Sequence, residues 1–250
     1  MTEKTKEYFS GLFSENGRGL SETDPEFTKF FSRFAFDEVP NQDDLDTHTR
    51  ILAILAVLIG CQGVELFREM LPEVIEYKVT PVEVKEIIYQ AAAYLGIGRV
   101  YPFLRAANKK FTELGVELPL PGQATITEND RVEAGEQLQV DIFGEQMKGF
   151  SESGPEESRH INKWLSGNCF GDYYTRTGLD QRQREMITFC FLAAQGGCEP
   201  QLIGHAAANM RIGNDKAFLI KVISQCIPYI GYPRSLNALR CIGEAEKEQV

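Results

Sequence analysis

Two long apolar stretches mark the centres of two similar halves of the chain. Residues 51–59 contain no polar position, and residues 186–194 are nearly as apolar. A helix without a polar face is normally surrounded by other helices, so we expect each stretch to form the central helix of its half. Asp46 and Asp180 precede these stretches, at positions where a carboxylate caps the first turn of a helix.

Signals for three further helices follow each central helix. Second helices are predicted over 62–77 and 199–211. A third helix starts at Thr80-Pro81-Val82-Glu83, which combines an N-cap threonine, a proline in the first turn and a glutamate at the third position. The third helices end at Gly96 and Gly231, where we expect the left-handed conformation that closes a helix. A fourth helix should follow each glycine.

Strand signals are scarce. The best alternation of apolar and polar residues, over 137–143, reads equally well as a helix. Short helices over 24–35 and 156–169 are expected to lead into the two halves. The pattern therefore predicts an all-α fold.

A proline-rich stretch separates the two halves. Leu118-Pro119-Leu120-Pro121-Gly122 should break the preceding helix and run extended. We accordingly place a first domain over 1–117, a linker over 118–127 and a second domain over 128–250.

Composition excludes several partners and locations. The chain has 26 basic and 36 acidic residues, a net charge of -10, and no cluster of lysine and arginine, so nucleic acid is not expected to bind. The longest apolar run is about half the length of a membrane span, so we expect no membrane association. Met1 begins a polar segment without a signal-peptide core, which favours a cytoplasmic location.

Cysteine and histidine usage argues against a metal site. The six cysteines form no C-x-x-C pair, and the chain has only three histidines. We expect no metal, no cofactor and no disulfide framework in a chain of this length.

A set of spaced residues occurs twice in the same order. The first half has Leu45-Asp46 with Arg50, then Gln90, Tyr94, Gly96 and Arg99. The second half has Gly178-Leu179-Asp180-x-x-x-Arg184-Glu185, then Gln201-Leu202-x-x-His205, then Gln225-x-x-x-Tyr229-x-Gly231-x-Pro233-Arg234. A repeat of this length is typical of two fused copies of a helical domain.

This pattern resembles the carboxymuconolactone decarboxylase family, whose members include the alkyl hydroperoxidase D-like proteins, over roughly 36–110 and 170–245. The resemblance implies a duplicated alkyl hydroperoxidase D-like helical domain that associates through helical faces. Because single-domain relatives are commonly hexamers, it implies a homotrimer with a pseudo-hexameric arrangement. It does not fix the reaction, since the family includes lactone decarboxylases and thiol-based peroxide reductases.

His205 is the main candidate for chemistry. It matches the family histidine and lies one helical turn after Gln201, and an imidazole can exchange protons near neutral pH. The alternative is a histidine that bonds a carbonyl at a helix contact. Glu185 lies near the family's relay glutamate and could orient His205; otherwise it is an exposed first-turn carboxylate beside Arg184.

Cys198 stands where the peroxidase-like relatives have the first cysteine of a cysteine-x-x-cysteine-x-x-x-histidine motif. Gln201 replaces the second cysteine, so the motif lacks the resolving thiol of a dithiol cycle. Cys198 is therefore either a single reactive thiol or a structural cysteine. In the first half, Glu69 takes the place of the histidine, which predicts either a scaffolding copy or one that contributes acidic groups to a composite pocket.

Three functions stay open at this stage. The first is a cofactor-independent enzyme acting on a small organic acid or lactone. In it, His205 carries a proton, Glu185 or Gln201 orients it, and Arg211 or Arg234 binds the substrate anion. The second is a peroxidase or thiol-disulfide protein using Cys198. The third is a non-catalytic ligand-binding member of the family.

Overall fold

A computed structural model describes residues 14–15 and 18–248. Its architecture is helical, apart from the two-residue strands Ser14–Glu15 and Arg18–Gly19, which pair antiparallel. The all-α prediction is confirmed. The polar segment that follows Met1 lies outside the described residues.

Within residues 18–117, the first half shows six α-helices and a π-helical segment. These are α1 (Leu20–Thr23), α2 (Pro25–Arg33), the π-helical segment Phe34–Glu38, α3 (Thr47–Gly60), α4 (Val64–Glu76), α5 (Pro81–Leu95) and α6 (Ile97–Glu113).

The second half repeats the order after an added helix. It contains α7 (Arg131–Phe143), the 3-10 turns Glu145–Met147 and Phe150–Glu152, α8 (Arg159–Trp164), the π-helical segment Leu165–Tyr174, α9 (Gln181–Gln195), α10 (Glu199–Arg211) and α11 (Lys216–Glu248), which is broken at Gly231. Residues 137–143 belong to helix α7. The two lead-in helices were predicted, whereas the π-helical segments that extend them were not.

The predicted helix starts carry the caps that the sequence indicates. The Asp46 carboxylate accepts a hydrogen bond from the Thr49 amide at 2.9 Å. Asp180 and Gln183 form a reciprocal capping box, as do Thr80 and Glu83. Each satisfies amide groups that have no partner inside the helix.

Gly96 and Gly231 end the third helices, as predicted, but in a different conformation. Both have φ of 75°, with ψ of 155° and 167°. This is an extended conformation with positive φ, which glycine adopts without steric cost, and not the left-handed helix that we expected. The next helix begins at the following residue, so a single glycine joins two helices in each half.

One hydrophobic core spans both halves. The central helices α3 and α9 pack so closely that a Cβ placed on Gly60 would lie 2.7 Å from Cβ of Ala194. All residues of 51–60 and 184–194 are buried. Between Glu113 and Arg131 the chain has no helix, in agreement with a linker, while the division into two domains stays a prediction because the core is continuous.

Among residues 14–15 and 18–248, no helix combines the length and the apolar character needed to cross a membrane.

Candidate functional site

A buried carboxylate and an imidazole meet between helices α9 and α10. Glu185 Oε2 lies 2.8 Å from His205 Nδ1. The Glu185 side chain is fully buried, and the His205 side chain keeps 11% of its surface exposed. The sequence predicted that Glu185 orients His205, and the structure brings the two together. Its alternative, an exposed first-turn carboxylate, is wrong.

The contact sets the roles of the two ring nitrogens. A carboxylate can only accept a hydrogen bond, so the proton of the neutral ring lies on Nδ1. Nε2 of His205 then carries the free lone pair, and it has no hydrogen-bond partner among the described residues. Glu185 Oε1 is buried and likewise has no partner there.

Asn209 fastens the two helices beside this pair. Its Nδ2 donates to the carbonyl oxygens of Glu185, at 2.9 Å, and of His205, at 2.8 Å. Sequence reasoning missed Asn209. The available signal was its position one turn after His205 on the same helix face, with an amide that has both donors and an acceptor.

Two aromatic rings pack edge-on against His205. The centroid of the Tyr94 ring lies 5.5 Å from that of the imidazole, and the centroid of Phe143 lies 5.3 Å away. Tyr94 comes from α5 in the first half, so the site is composite. Phe143 ends α7, which lies against the π-helical segment Leu165–Tyr174 so tightly that a Cβ on Gly135 would meet the Ser166 carbonyl oxygen.

A chain of hydroxyl groups runs from Tyr94 away from the histidine. Tyr94 and Tyr174 bond through their hydroxyls at 2.9 Å, and Tyr174 bonds Thr188 Oγ1 at 2.5 Å. Burial raises the pKa of both phenols well above the usual value, and the nearby charge of Glu185 adds to the effect. Burial also raises the pKa of the neighbouring Cys169 thiol to about 12. These groups therefore stay protonated at neutral pH.

Arg184 forms hydrogen bonds and an ion pair with residues of the first half. Its Nη2 donates to Glu86 Oε2 at 3.0 Å and its Nη1 to Gln90 Oε1 at 2.9 Å. Glu86 also pairs with Arg176 at 3.0 Å. Since Glu86 and Gln90 belong to the first half, Arg184 ties the two halves together, the structural role expected of a buried arginine.

Cys198 lies apart from this pair. It precedes the first residue of α10, seven residues before His205, which corresponds to about 10 Å along a helix. Its thiol donates to the Leu192 carbonyl oxygen at 3.5 Å and accepts from Gln195 Nε2 at 3.6 Å. Burial raises the pKa of the Cys198 thiol. Among the described residues, its hydrogen-bond partners include neither Glu185 nor His205.

Among the described residues, none of the three predicted substrate-binding side chains forms a hydrogen bond with the His205 side chain. Gln201 and Arg211 are exposed on α10, the first of them one turn before His205. Arg234 Nη1 donates to the Ala194 carbonyl oxygen, at the end of α9. Their part in binding a substrate stays a prediction.

The helix bounds correct the alignment of the two halves. Helices α4 and α10 both have 13 residues, and the seventh is Met70 in the first and His205 in the second. The expectation that Glu69 replaces the histidine is therefore wrong by one position. Glu69 instead pairs with Arg68 at 2.8 Å on a half-exposed face.

No group of three or more histidine, cysteine, aspartate or glutamate side chains in the described part of the chain is arranged to hold a metal ion.

Comparison with known protein families shows which family the two repeated halves belong to. The model of the carboxymuconolactone decarboxylase family matches residues 25–109 and again residues 160–244, which together are more than half of the chain. The chain belongs to the carboxymuconolactone decarboxylase family. It contains two copies of the family domain, and the two matched ranges contain the residues that carry the resemblance in each half.

Individual relatives agree with this assignment to the carboxymuconolactone decarboxylase family. The chain is 32% identical over 97 residues to 4-carboxymuconolactone decarboxylase of Acinetobacter baylyi, a stretch covering 39% of this chain and 72% of that protein. A crystal structure assigned as a gamma-carboxymuconolactone decarboxylase subunit from Burkholderia xenovorans has a TM-score of 0.56 and 17% identity. The match covers 99% of this chain and 98% of the Burkholderia chain, so the same fold extends over both halves.

Proposed function

We propose that the chain is a cofactor-independent enzyme of the carboxymuconolactone decarboxylase type, acting on a small organic acid or lactone with His205 as proton carrier. The observation that supports this most directly is the 2.8 Å contact between His205 Nδ1 and the fully buried Glu185 carboxylate. A histidine held by a carboxylate on one nitrogen presents the other to a reacting group.

The proposed step is the protonation of a carbon that loses its carboxylate. The C–C bond to the carboxylate breaks, carbon dioxide leaves, and the electron pair stays on the substrate carbon. The Nε2 proton of protonated His205 moves to that carbon, and the neutral ring then takes a new proton from water. Glu185 stabilises the charged ring and holds its orientation throughout.

The surroundings of His205 suit a small unsaturated ring. Tyr94 and Phe143 present aromatic surface on two sides of the imidazole. Gln201 lies on the preceding turn of the same helix, where an amide can orient a lactone or carboxylate oxygen. Arg211 and Arg234 remain the candidates for the substrate anion, although Arg234 would have to release the Ala194 carbonyl oxygen to bind it.

The redox alternative receives less support. A peroxidatic cysteine needs a lowered pKa, whereas burial raises that of Cys198. Its thiol is also engaged with the Leu192 carbonyl oxygen.

Repeated apolar residues support a trimeric assembly with pseudo-sixfold character. Four pairs of large apolar side chains, each more than half exposed, occupy equivalent positions in the two halves: Phe27 and Ile161, Phe30 and Trp164, Ile97 and Tyr232, and Tyr101 and Leu236. Exposed apolar residues that recur at equivalent positions are expected where like subunits meet through the same faces.

The reaction class is tested by measuring release of carbon dioxide from 4-carboxymuconolactone and related lactone acids. We expect turnover by the wild-type chain, unchanged turnover by H160Q, and a loss of about 10²–10⁴-fold in H205Q. His160 is a suitable control because it is exposed and its ring packs against Trp164. Failure of the wild-type chain to release carbon dioxide from any of these acids would exclude the decarboxylase proposal and favour a non-catalytic member.

A further inference from the structure

A cavity of about 410 Å³ lies between helices α5 and α6 and the proline-rich stretch 118–123. Arg176, from the second half, also lines it. Its volume is within the range of sites that bind small molecules. Among the described residues that line it, neither Glu185 nor His205 occurs. The cavity is therefore separate from the proposed active site.

Lys85 contributes a positive charge to this cavity without a negative partner. The residue keeps 7% of its surface exposed. Its ammonium group donates to Asn108 Oδ1 and has no carboxylate partner among the described residues. Burial lowers the pKa of Lys85, and no neighbouring carboxylate offsets the effect. Because an ammonium has three donors, two are left for a ligand.

Arg176 supplies a second positive charge from the opposite half. Its Nε and Nη2 bond the carboxylate of Glu86 at 3.0–3.1 Å. Its Nη1 has no hydrogen-bond partner among the described residues. The same carboxylate also accepts from Arg184 Nη2 at 3.0 Å, so two guanidinium groups share one negative charge. Arg176 thus keeps both free donors and charge that Glu86 does not neutralise.

The ring of Tyr89 brings the two cations of the cavity near each other. Lys85 Nζ lies 5.8 Å from the centroid of the ring, and Arg176 Cζ lies 5.4 Å from it. Positive groups are attracted to the face of an aromatic ring, which holds both of them here. Like charges repel, and an anion that contacts both would lower that repulsion.

The charges around the cavity do not balance. Lys85, Arg176 and Arg184 are positive. Among the described residues, Glu86 is the one carboxylate that bonds any of them. The excess is two positive charges, although the whole chain has a net charge of -10. Buried charges without partners are costly, so this excess favours a ligand with two negative charges.

We propose that this cavity binds a small organic dianion, either a phosphate monoester or a dicarboxylate, whose shared chemistry is two negative charges carried on oxygen atoms. Lys85 and Arg176 bind the anionic oxygens. Asn108 lines the cavity and adds a neutral donor through Nδ2, since its Oδ1 faces the ammonium. Leu118 and Leu120 contact the apolar body of the ligand. The bound ligand joins the first half to the second.

Calorimetric titration with phenyl phosphate and phthalate tests the proposal at about pH 7.5, where both carry two charges. Methyl phenyl phosphate and benzoate are the analogues with one charge fewer. We expect at least one dianion to bind about tenfold more tightly than its singly charged analogue. The stronger of the two distinguishes a phosphate monoester from a dicarboxylate. Inorganic phosphate, which lacks the apolar body, should bind more weakly than the better dianion.

Variants assign the binding to this cavity. K85M keeps most of the apolar stem without the charge and should weaken binding by about tenfold to a hundredfold. K109M removes an exposed lysine next to Asn108 and should bind as the wild type does. H205Q should also bind unchanged. If K85M proves too unstable to test, N108D, at an exposed position, places a carboxylate against Lys85 and should weaken binding to the same extent.

Several results would overturn the proposal. These are absence of binding by both dianions, equal affinity for a dianion and its singly charged analogue, and equal affinity of the wild type and K85M or N108D. Loss of binding in H205Q would place the ligand at the other site. Inorganic phosphate that binds as tightly as the better dianion would show a site for a simple ion only.

Discussion

Gln90 and Arg184 bond each other twice across the two halves of the chain. The guanidinium donates to the amide oxygen at 2.9 Å, and the amide nitrogen donates to the Arg184 carbonyl oxygen at 2.9 Å. Their counterparts, Gln225 and Arg50, face one cavity without this bond. The repeat thus places an arginine–glutamine pair in each half. The neighbouring residues determine whether the pair forms a closed hydrogen-bond network or lines an open pocket.

This difference predicts unequal effects on stability. R184Q leaves the buried Glu86 carboxylate with one ion pair fewer and should lower the free energy of unfolding by about 3–5 kcal/mol. R50Q removes only a long hydrogen bond to Thr47 and should change it by less than about 1 kcal/mol. Urea unfolding followed by circular dichroism measures both. A loss of less than about 1 kcal/mol for R184Q would show that the cross-half network does not stabilise the fold.

Cys198 should react slowly with alkylating reagents at neutral pH. Its pKa is raised by burial, so the thiolate is scarcer than in a model thiol and forms only as the pH rises above the usual range. We expect iodoacetamide labelling of Cys198, followed by peptide mass spectrometry, to be slower than that of N-acetylcysteine at pH 7 and to accelerate above about pH 9. C198S identifies the labelled peptide. Labelling of Cys198 that is faster than that of the model thiol at pH 7 would favour the redox alternative.

Alkaline pH should destabilise the chain through Tyr94 and Tyr174. Their pKa values are raised in the folded state, so the folded chain keeps phenolic protons that the unfolded chain loses above about pH 10. Their contribution to stability is full below that pH and is lost as the pH rises toward the folded values. Unfolding free energies between pH 8 and 11.5 measure the slope.

The control for this slope removes the two phenols. The double variant Y94F/Y174F should show a shallower fall in stability, while Y173F, at a half-buried position outside this pair, should match the wild type. A wild-type slope that persists unchanged in the double variant would assign the effect to other groups.

The repeated apolar faces predict a trimer in solution. Light scattering coupled to size exclusion should give three times the chain mass of 28.1 kDa. W164K places a charge on one of these faces and should shift the mass toward the monomer, whereas Q137K adds the same charge at an exposed polar position and should not. A monomeric wild-type chain would contradict the assembly.

Much of the frame could be predicted from local signals. Helix starts are marked by Asp46, by Asp180 and by the capping box that begins at Thr80, because a cap acts within one helical turn. The apolar stretches identify the buried central helices because nothing polar interrupts them. The pairing of Glu185 with His205 could also be predicted, since both residues lie on helices whose order the repeat establishes.

The remainder depends on contacts between residues distant in the chain. Tyr94 reaches His205 only because α5 packs against the opposite half. Phe143 reaches His205 because Gly135 lets α7 approach the π-helical segment Leu165–Tyr174 closely. No sequence pattern predicted that segment. The turn between the central helix and the next helix has three residues in both halves. The one-residue difference behind the shift from Glu69 to Met70 lies in the central helices, which have 14 residues in α3 and 15 in α9, and no sequence pattern locates it.

The most direct test of the account is a double-mutant cycle on Glu185 and His205. If Glu185 acts by holding the imidazole, its effect disappears once the imidazole is gone, because residues that act as a unit are not additive. On the acid that the wild-type chain decarboxylates, we predict a lower kcat for E185Q, a loss of about 10²–10⁴-fold for H205Q, and no further loss in E185Q/H205Q. Independent, multiplying losses in the double variant, or wild-type kcat in H205Q, would contradict the role assigned to this pair.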